Sequence, residues 1–288
     1  MSLPLPRDYL LHSSAIDLNN NRDNPLASYS EILNNYLGRN DKDAKAIQMC
    51  YINSQKQISG SNSNFMYKLD IPYDNPYTRV VVLYCVIPKA FYNVASPYNT
   101  FKLIENGVTV TITLTEGDYS RDTLKQHVTT QLNNNSPNGF TYAITTSPIA
   151  GPETGKFNFT VAGNGVIQPI LSFTSTSLYE QLGFDADSDN SFIGNTLIST
   201  NVMYLQLERT LFIHSDLTNT YDSNILQEIY SGSVPMFYNI IFKQKLPLLY
   251  AKPFSKKFNT VFNFILTDEN GSEINLNGLS WNFTLLFF

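Results

Sequence analysis

Charge is what this sequence has least of. Only 15% of its 288 residues are Asp, Glu, Lys or Arg, against roughly a quarter in an average globular protein. A surface so poor in charge suits burial against neighbours, because interfaces shed charged side chains and keep aromatic ones. The chain has two cysteines, Cys50 and Cys85, too few for a disulfide framework, which fits assembly in a reducing compartment. It has three histidines, His12, His127 and His214. It contains no His-Glu-x-x-His and no Cys-x-x-Cys, so a zinc site is not expected. No apolar stretch is long enough to span a bilayer, and Met1–Leu10 carries Arg7 and Asp8 without an apolar run, so no signal peptide is expected. The net charge is −5, which argues against a nucleic-acid binder.

What is abundant points to strands and turns. There are 18 Tyr and 19 Phe, and the polar remainder leans on Asn, Ser and Thr, residues of pleated surfaces and turns. Residues 1–64 are rich in Asn, Asp and Ser and read as an N-terminal arm. Within it Tyr29, Ile32, Leu33, Tyr36 and Leu37 recur at helical spacing before Gly38, and Ser59–Asn64 reads as a flexible link. Strands follow. Arg79–Ile87 is nearly all apolar and predicts a central strand buried on both faces. Asn106-Gly107 predicts a tight hairpin turn into a strand where Val108, Val110, Ile112 and Leu114 alternate with threonines. Ser120 caps a predicted helix carrying Leu124, Val128 and Leu132. Ser177 and Glu180 form a capping-box pattern ahead of Leu182, with Gly183 as the stop.

Farther on, Met203, Leu205 and Leu207 alternate, Val234–Phe242 is largely apolar, and Phe258, Phe262, Phe264 and Leu266 share a face. Asn270-Gly271 and Asn277-Gly278 predict two more turns. In the last strand Leu279, Trp281, Phe283, Leu285 and Phe287 point one way. The pattern predicts a mainly β fold, a single jelly-roll sandwich with an inserted small α/β module and an N-terminal arm. The jelly roll is assigned to 65–98 plus 199–288, and the inserted module to 99–198.

Motifs of chemistry are incomplete. Gly151-Pro-Glu-Thr-Gly155-Lys156 is one residue short of a phosphate loop. Phe157 stands where Ser or Thr would hold magnesium, so a hairpin loop is expected. Asp185, Asp187 and Asp189 open like a calcium loop, but Asn190 replaces the glycine and Thr196 the bidentate carboxylate. Lys243, Lys245, Lys252, Lys256 and Lys257, interleaved with Tyr250, Phe254 and Phe258, read as solvent-facing charges and at most an incidental nucleic-acid contact. No catalytic, cofactor-binding or metal residue is assigned, no cofactor is expected, and the chain reads as no enzyme. Sequons at Asn158, Asn270 and Asn282 carry no weight without a secretion signal.

One run of residues has a familiar order. An apolar strand enters Ile87-Pro88-Lys89-Ala90-Phe91-Tyr92-Asn93. Leu114-Thr115-Glu116-Gly117-Asp118-Tyr119-Ser120 opens a helix, and Leu182-Gly183-Phe184 follows. The chain closes with Leu266-Thr267-Asp268, Leu276-Asn277-Gly278 and Trp281-Asn282-Phe283-Thr284-Leu285. Over residues 65–288 this resembles the penton, or minor capsid, proteins of virophages and Polinton-like viruses. The resemblance implies a single jelly roll with an inserted module, and a homopentamer at each icosahedral vertex. It also implies contacts with major capsid protein subunits and a place in the virion after assembly in the host cytoplasm. It brings no small-molecule substrate and no membrane span. The arm would point to the inner face and contact adjacent capsomers. Two rivals stand beside it: a receptor- or glycan-binding head of a viral fibre or spike, and a hydrolase on a β-scaffold using His127 or His214.

Overall fold

Strands dominate because alternating apolar residues are repeatedly punctuated by turn residues. The computed structural model describes residues 47–148, 152–163, 167–206, 210–218 and 224–288. The helical spacing at 29–37 and His12 therefore lie outside the described residues.

Eight strands build two antiparallel sheets. The first comprises β1 (Gln48–Asn53), β4 (Arg79–Pro88), β14 (Asn239–Lys243) and β17 (Asn282–Phe287), in spatial order β1-β17-β4-β14. The second comprises β3 (Asn64–Lys68), β12 (Thr210–Ser215), β13 (Ile225–Tyr230) and β16 (Val261–Thr267), in order β13-β12-β16-β3. Counted along the chain, these orders are 1-8-3-6 and 5-4-7-2, the connectivity of a jelly roll. The short β2 (Ser59–Gly60) extends the second sheet beside β3, and β15 (Lys252–Pro253) pairs with the start of β4. Side chains from both inner faces interdigitate in one core, among them Phe65, Val82, Cys85, Ile213, Phe264, Trp281 and Phe283. Trp281 stacks on Phe283 with centroids 4.7 Å apart, and Phe264 meets Phe283 edge-on at 5.0 Å.

A second core lies between β4 and β12. β5 (Thr100–Glu105), β6 (Val108–Thr113), β9 (Ile170–Phe173) and β10 (Ser188–Ser191) form a sheet in order β10-β9-β5-β6. β7 (Thr141–Ser147), β8 (Lys156–Ala162) and β11 (Thr196–Ile198) form another in order β11-β8-β7. Helix α1 (Arg121–Asn135) buries Leu124, Val128 and Leu132 against this core, and the short α2 (Tyr179–Leu182) adds Leu182. At the N-terminus of α1, Ser120 accepts from the Thr123 amide while Thr123 reciprocates to the Ser120 amide, a complete capping box. The Asn106-Gly107 hairpin takes positive φ at both residues, 48° and 82°, as a two-residue type I′ turn requires.

Several expectations change. The expected arm, 1–64, includes Gln48–Asn53, which pairs in full register with β17 as an edge strand of the first sheet. Its apolar content (Met49, Cys50, Ile52) is too brief to signal a strand without its partner. The expected flexible link is fixed: Ser59 and Gly60 pair with Met66 and Phe65, and the Ser61 hydroxyl accepts from the Ser63 and Asn64 amides. The module's core reaches from Val94 to Leu205, beyond both ends of 99–198. Met203 and Leu205 pack on that core without forming a strand, and Leu207 lies outside the described residues. Of the apolar 234–242 run only 239–242 is strand, because 234–238 turns, with the Val234 amide on the Ser231 carbonyl and the Phe237 amide on that of Lys89. Ser177 does not cap α2. Its hydroxyl accepts from the Thr174 amide, and Leu178 occupies the cap position. Gly183 does stop the helix, at φ 77°.

Candidate assembly surface

Strand register sets the outer face of the first sheet. Tyr51, Thr284, Tyr84 and Lys243 stand side by side across its four strands. Asn53, Asn282, Val86 and Ile241 form the next row. Tyr51 is 72% and Ile241 63% exposed, so this end of the face meets solvent with apolar side chains. At the other end Ile47, Met49, Val81, Leu286 and Phe288 make a small outer cluster. Helix α3 (Pro247–Tyr250) closes it through Leu248.

A β-bulge makes this arrangement possible. Tyr84 opposes Thr284 while Val82 opposes Leu285, so Leu83 is one residue extra in β4. Val80 and Val82 point into the core before it, and Cys85 and Ile87 after it.

The loops carry exposed aromatics as well. Tyr73 and Phe258 meet edge-on at 5.5 Å, with Phe258 86% exposed. Phe237 is 72% exposed and holds φ 66°, a conformation unusual for a bulky residue. Its amide donates to the Lys89 carbonyl at 2.8 Å, and the Lys89 amide donates to the Tyr238 carbonyl at 2.9 Å.

A cleft of about 360 Å³ lies where the module joins the jelly roll, bounded by Lys89, Asn93, Asp118 and Gly232–Met236. Its groups serve the joint. Lys89 Nζ donates to the carbonyls of Ser231 (3.2 Å) and Val234 (2.7 Å). Asn93 Nδ2 donates to the carbonyls of Tyr119 and Leu205, while its Oδ1 accepts from the Tyr119 amide at 2.8 Å. Gln181 Nε2 donates to the Asn93 carbonyl at 3.1 Å. Burial pushes the Asp118 carboxyl above its usual range, against the pull of the Lys89 charge. Tied to two carbonyls, the Lys89 ammonium clamps the 231–234 turn against the end of β4.

The residues singled out by sequence motifs take structural places. His127 Nε2 accepts from the Thr115 amide at 3.3 Å and packs on Tyr119. His214 sits between Asn224 Oδ1 (2.8 Å) and Thr267 Oγ1 (3.0 Å). The Thr267 hydroxyl is itself buried and donates to the Asp268 carbonyl at 3.1 Å, so its hydrogen is already placed on the backbone. The Gly151–Lys156 loop connects the antiparallel β7 and β8 as a hairpin, its first residue lying outside the described residues. Asp185 accepts from Asn201 Nδ2 and Asp187 from the Ser175 amide. Among the described residues no group of three His, Cys, Asp or Glu side chains could hold a metal ion. Lys256 donates to the Asn75 carbonyl and Lys257 pairs with Asp216, so two of the five clustered lysines brace loops. No helix among the described residues is long and apolar enough to cross a membrane.

Neither the outer sheet face nor the cleft was visible in the sequence, since both depend on strand order and on the bulge. No family model matches the chain, and no curated protein does. Among solved structures, the crystal structure of the mavirus penton protein superposes loosely. Its TM-score is 0.44 at 12% identity, over 83% of this chain and 99% of that one.

Proposed function

We propose that this chain is a non-enzymatic capsid protein, the penton subunit at the fivefold vertices of an icosahedral virus particle. The observation that carries the reading is a jelly roll that holds Phe237, Tyr238 and Leu249 in solvent, where a neighbour can bury them. Large apolar and aromatic side chains held in solvent are suited to burial against other chains. Only 15% of the residues are charged, which fits lateral packing between wedges. The order of turns and apolar residues over 65–288 supports the same role through its resemblance to virophage penton proteins.

In this reading five copies close a ring through two different, complementary sides, and the ring sits among major capsid protein subunits in the virion. Assembly takes place in the host cytoplasm. A reconstruction of the particle with resolved fivefold density tests it: the vertex density should accept this fold. Density that rejects it, or that places the chain in a protruding fibre, overturns the reading. The exposed Tyr73–Phe258 pair favours one alternative, a glycan-binding head, because aromatic faces stack on sugars. Binding on a glycan array that is lost in Phe258→Ala would support that alternative.

A further inference from the structure

The outer face of the first sheet is half covered. Helix α3 closes the cluster at one end, and beyond it Tyr51, Tyr84 and Ile241 stay uncovered. We propose that the chain's own N-terminal segment occupies this part of the face, seated through Tyr29, Ile32, Leu33, Tyr36 and Leu37.

The attachment point is the first argument. Ile47, the first described residue, packs in the outer cluster itself, so residues 1–46 join the fold on this face and not at a distant edge. Reach is the second. The stretch 38–46 spans up to about 30 Å when extended, while four strands measure about 14 Å across at ~4.8 Å spacing. The intervening chain therefore needs neither to be taut nor to cross another element.

The third argument is the match of pattern to surface. The helical spacing over 29–37 predicts one apolar stripe, and a helix of that length is about 13 Å long, close to the width of the sheet. Charge is the fourth. Residues 1–38 contain Asp8, Asp17, Asp23 and Glu31 against Arg7 and Arg22, a net of 2 − 4 = −2. Beside Tyr51, Tyr84 and Ile241 the outward residues of β1, β4, β14 and β17 include Lys243 and no Asp or Glu, while Arg79 is tied to the Ala251 carbonyl at the closed end.

The inference goes beyond the vertex reading and does not need it, because it concerns the chain before any assembly. The other destination for the segment, a neighbouring subunit, is an outcome of the same experiment. In the full-length protein, Leu33→Cys is paired in turn with Tyr51→Cys, Tyr84→Cys and Ile241→Cys, and each pair is oxidised at low protein concentration. At least one pair should yield a disulfide within a species of monomer mass, mapped by peptide mass spectrometry. Disulfides found only between chains, or none with all three partners, overturn the proposal. As an independent readout, Ile32→Asp in the full-length protein should raise the fluorescence of an anilinonaphthalene sulfonate probe severalfold by uncovering the face. Unchanged fluorescence in a variant that still melts cooperatively also overturns it.

Discussion

Tyr142 donates its phenolic hydrogen to Oε1 of Glu105 at 2.6 Å, and both side chains are buried in the core of the inserted module. The same carboxylate accepts from the Ser136 hydroxyl at 2.8 Å and from the Asn138 amide at 2.9 Å. One acidic side chain therefore ties the end of β5 to β7 and to the turn that follows α1. Burial, and then the neighbouring carboxylate charge, push the Tyr142 phenol well above its usual range.

This network should be costly to open. Tyr142→Phe removes one donor from a buried carboxylate and should lower the unfolding free energy by about 1–3 kcal/mol. Glu105→Ala strands three donors at once and should cost more. Urea unfolding of the two variants checks both the size and the order. A neutral Tyr142→Phe would show that water already serves the carboxylate.

The two thiols predict the response to alkali. Burial first, then the charge of Asp70, pushes Cys50 up to about 11. Burial pushes Cys85 up to about 12, partly countered by a backbone hydrogen bond from Phe242. Both values exceed the ordinary thiol value of 9.0, so the folded chain holds these protons more tightly than the unfolded one. Their contribution to stability is complete below pH 9.0 and falls as pH rises through 11 and 12. Denaturation midpoints should hold level from pH 7 to 8.5 and decline above. Ellman's reagent at pH 8 should titrate neither thiol until denaturant is added.

The last strand should tolerate no truncation of its inward side chains. Trp281 is buried against Phe65 and Phe283, and its Nε1 donates to the Asn62 carbonyl at 2.7 Å. Trp281→Ala should cost about 3–5 kcal/mol. Leu279, which is 50% exposed, should tolerate alanine within about 0.5 kcal/mol. Thermal melts of the pair give the contrast, and equal losses would contradict this packing.

The inserted module should be removable. Asn93 Nδ2 reaches the Leu205 carbonyl at 3.2 Å, so the chain leaves and rejoins the jelly roll at neighbouring points. Replacing 95–204 by a short Gly/Ser linker should leave a soluble, cooperatively melting sandwich. Aggregation of that variant would show that the jelly roll depends on the module.

Local signals in the sequence carried far, and partner-dependent ones did not. Asn106-Gly107 names its own turn type, and Ser120 ahead of Leu124, Val128 and Leu132 names a capped helix. Each depends only on nearby residues. Phe262, Phe264 and Leu266 likewise alternate inward, while Phe258, which shares their spacing, is exposed because β16 starts only at Val261. β1 reads as part of the arm in the sequence because its identity rests on pairing with β17, more than two hundred residues away. The uncovered outer face is a property of four strands in register, and no single segment carries it.

The extra residue in β4 decides what the molecule shows to the outside. Were β4 an unbroken alternation from Val80 and Val82, Tyr84 would turn inward and the Cys85 thiol would face solvent. A ring too large for the sandwich would then crowd Phe283, and an oxidisable sulfur would sit on the exterior. Deleting Leu83 would leave Val82, Cys85 and Ile87 inward and Tyr84 outward, a plain alternation without the bulge, whereas deleting Val86 would turn Ile87 to the outside. A single-residue deletion should therefore be better tolerated at Leu83 than at Val86, a contrast that thermal melts of the two variants would show.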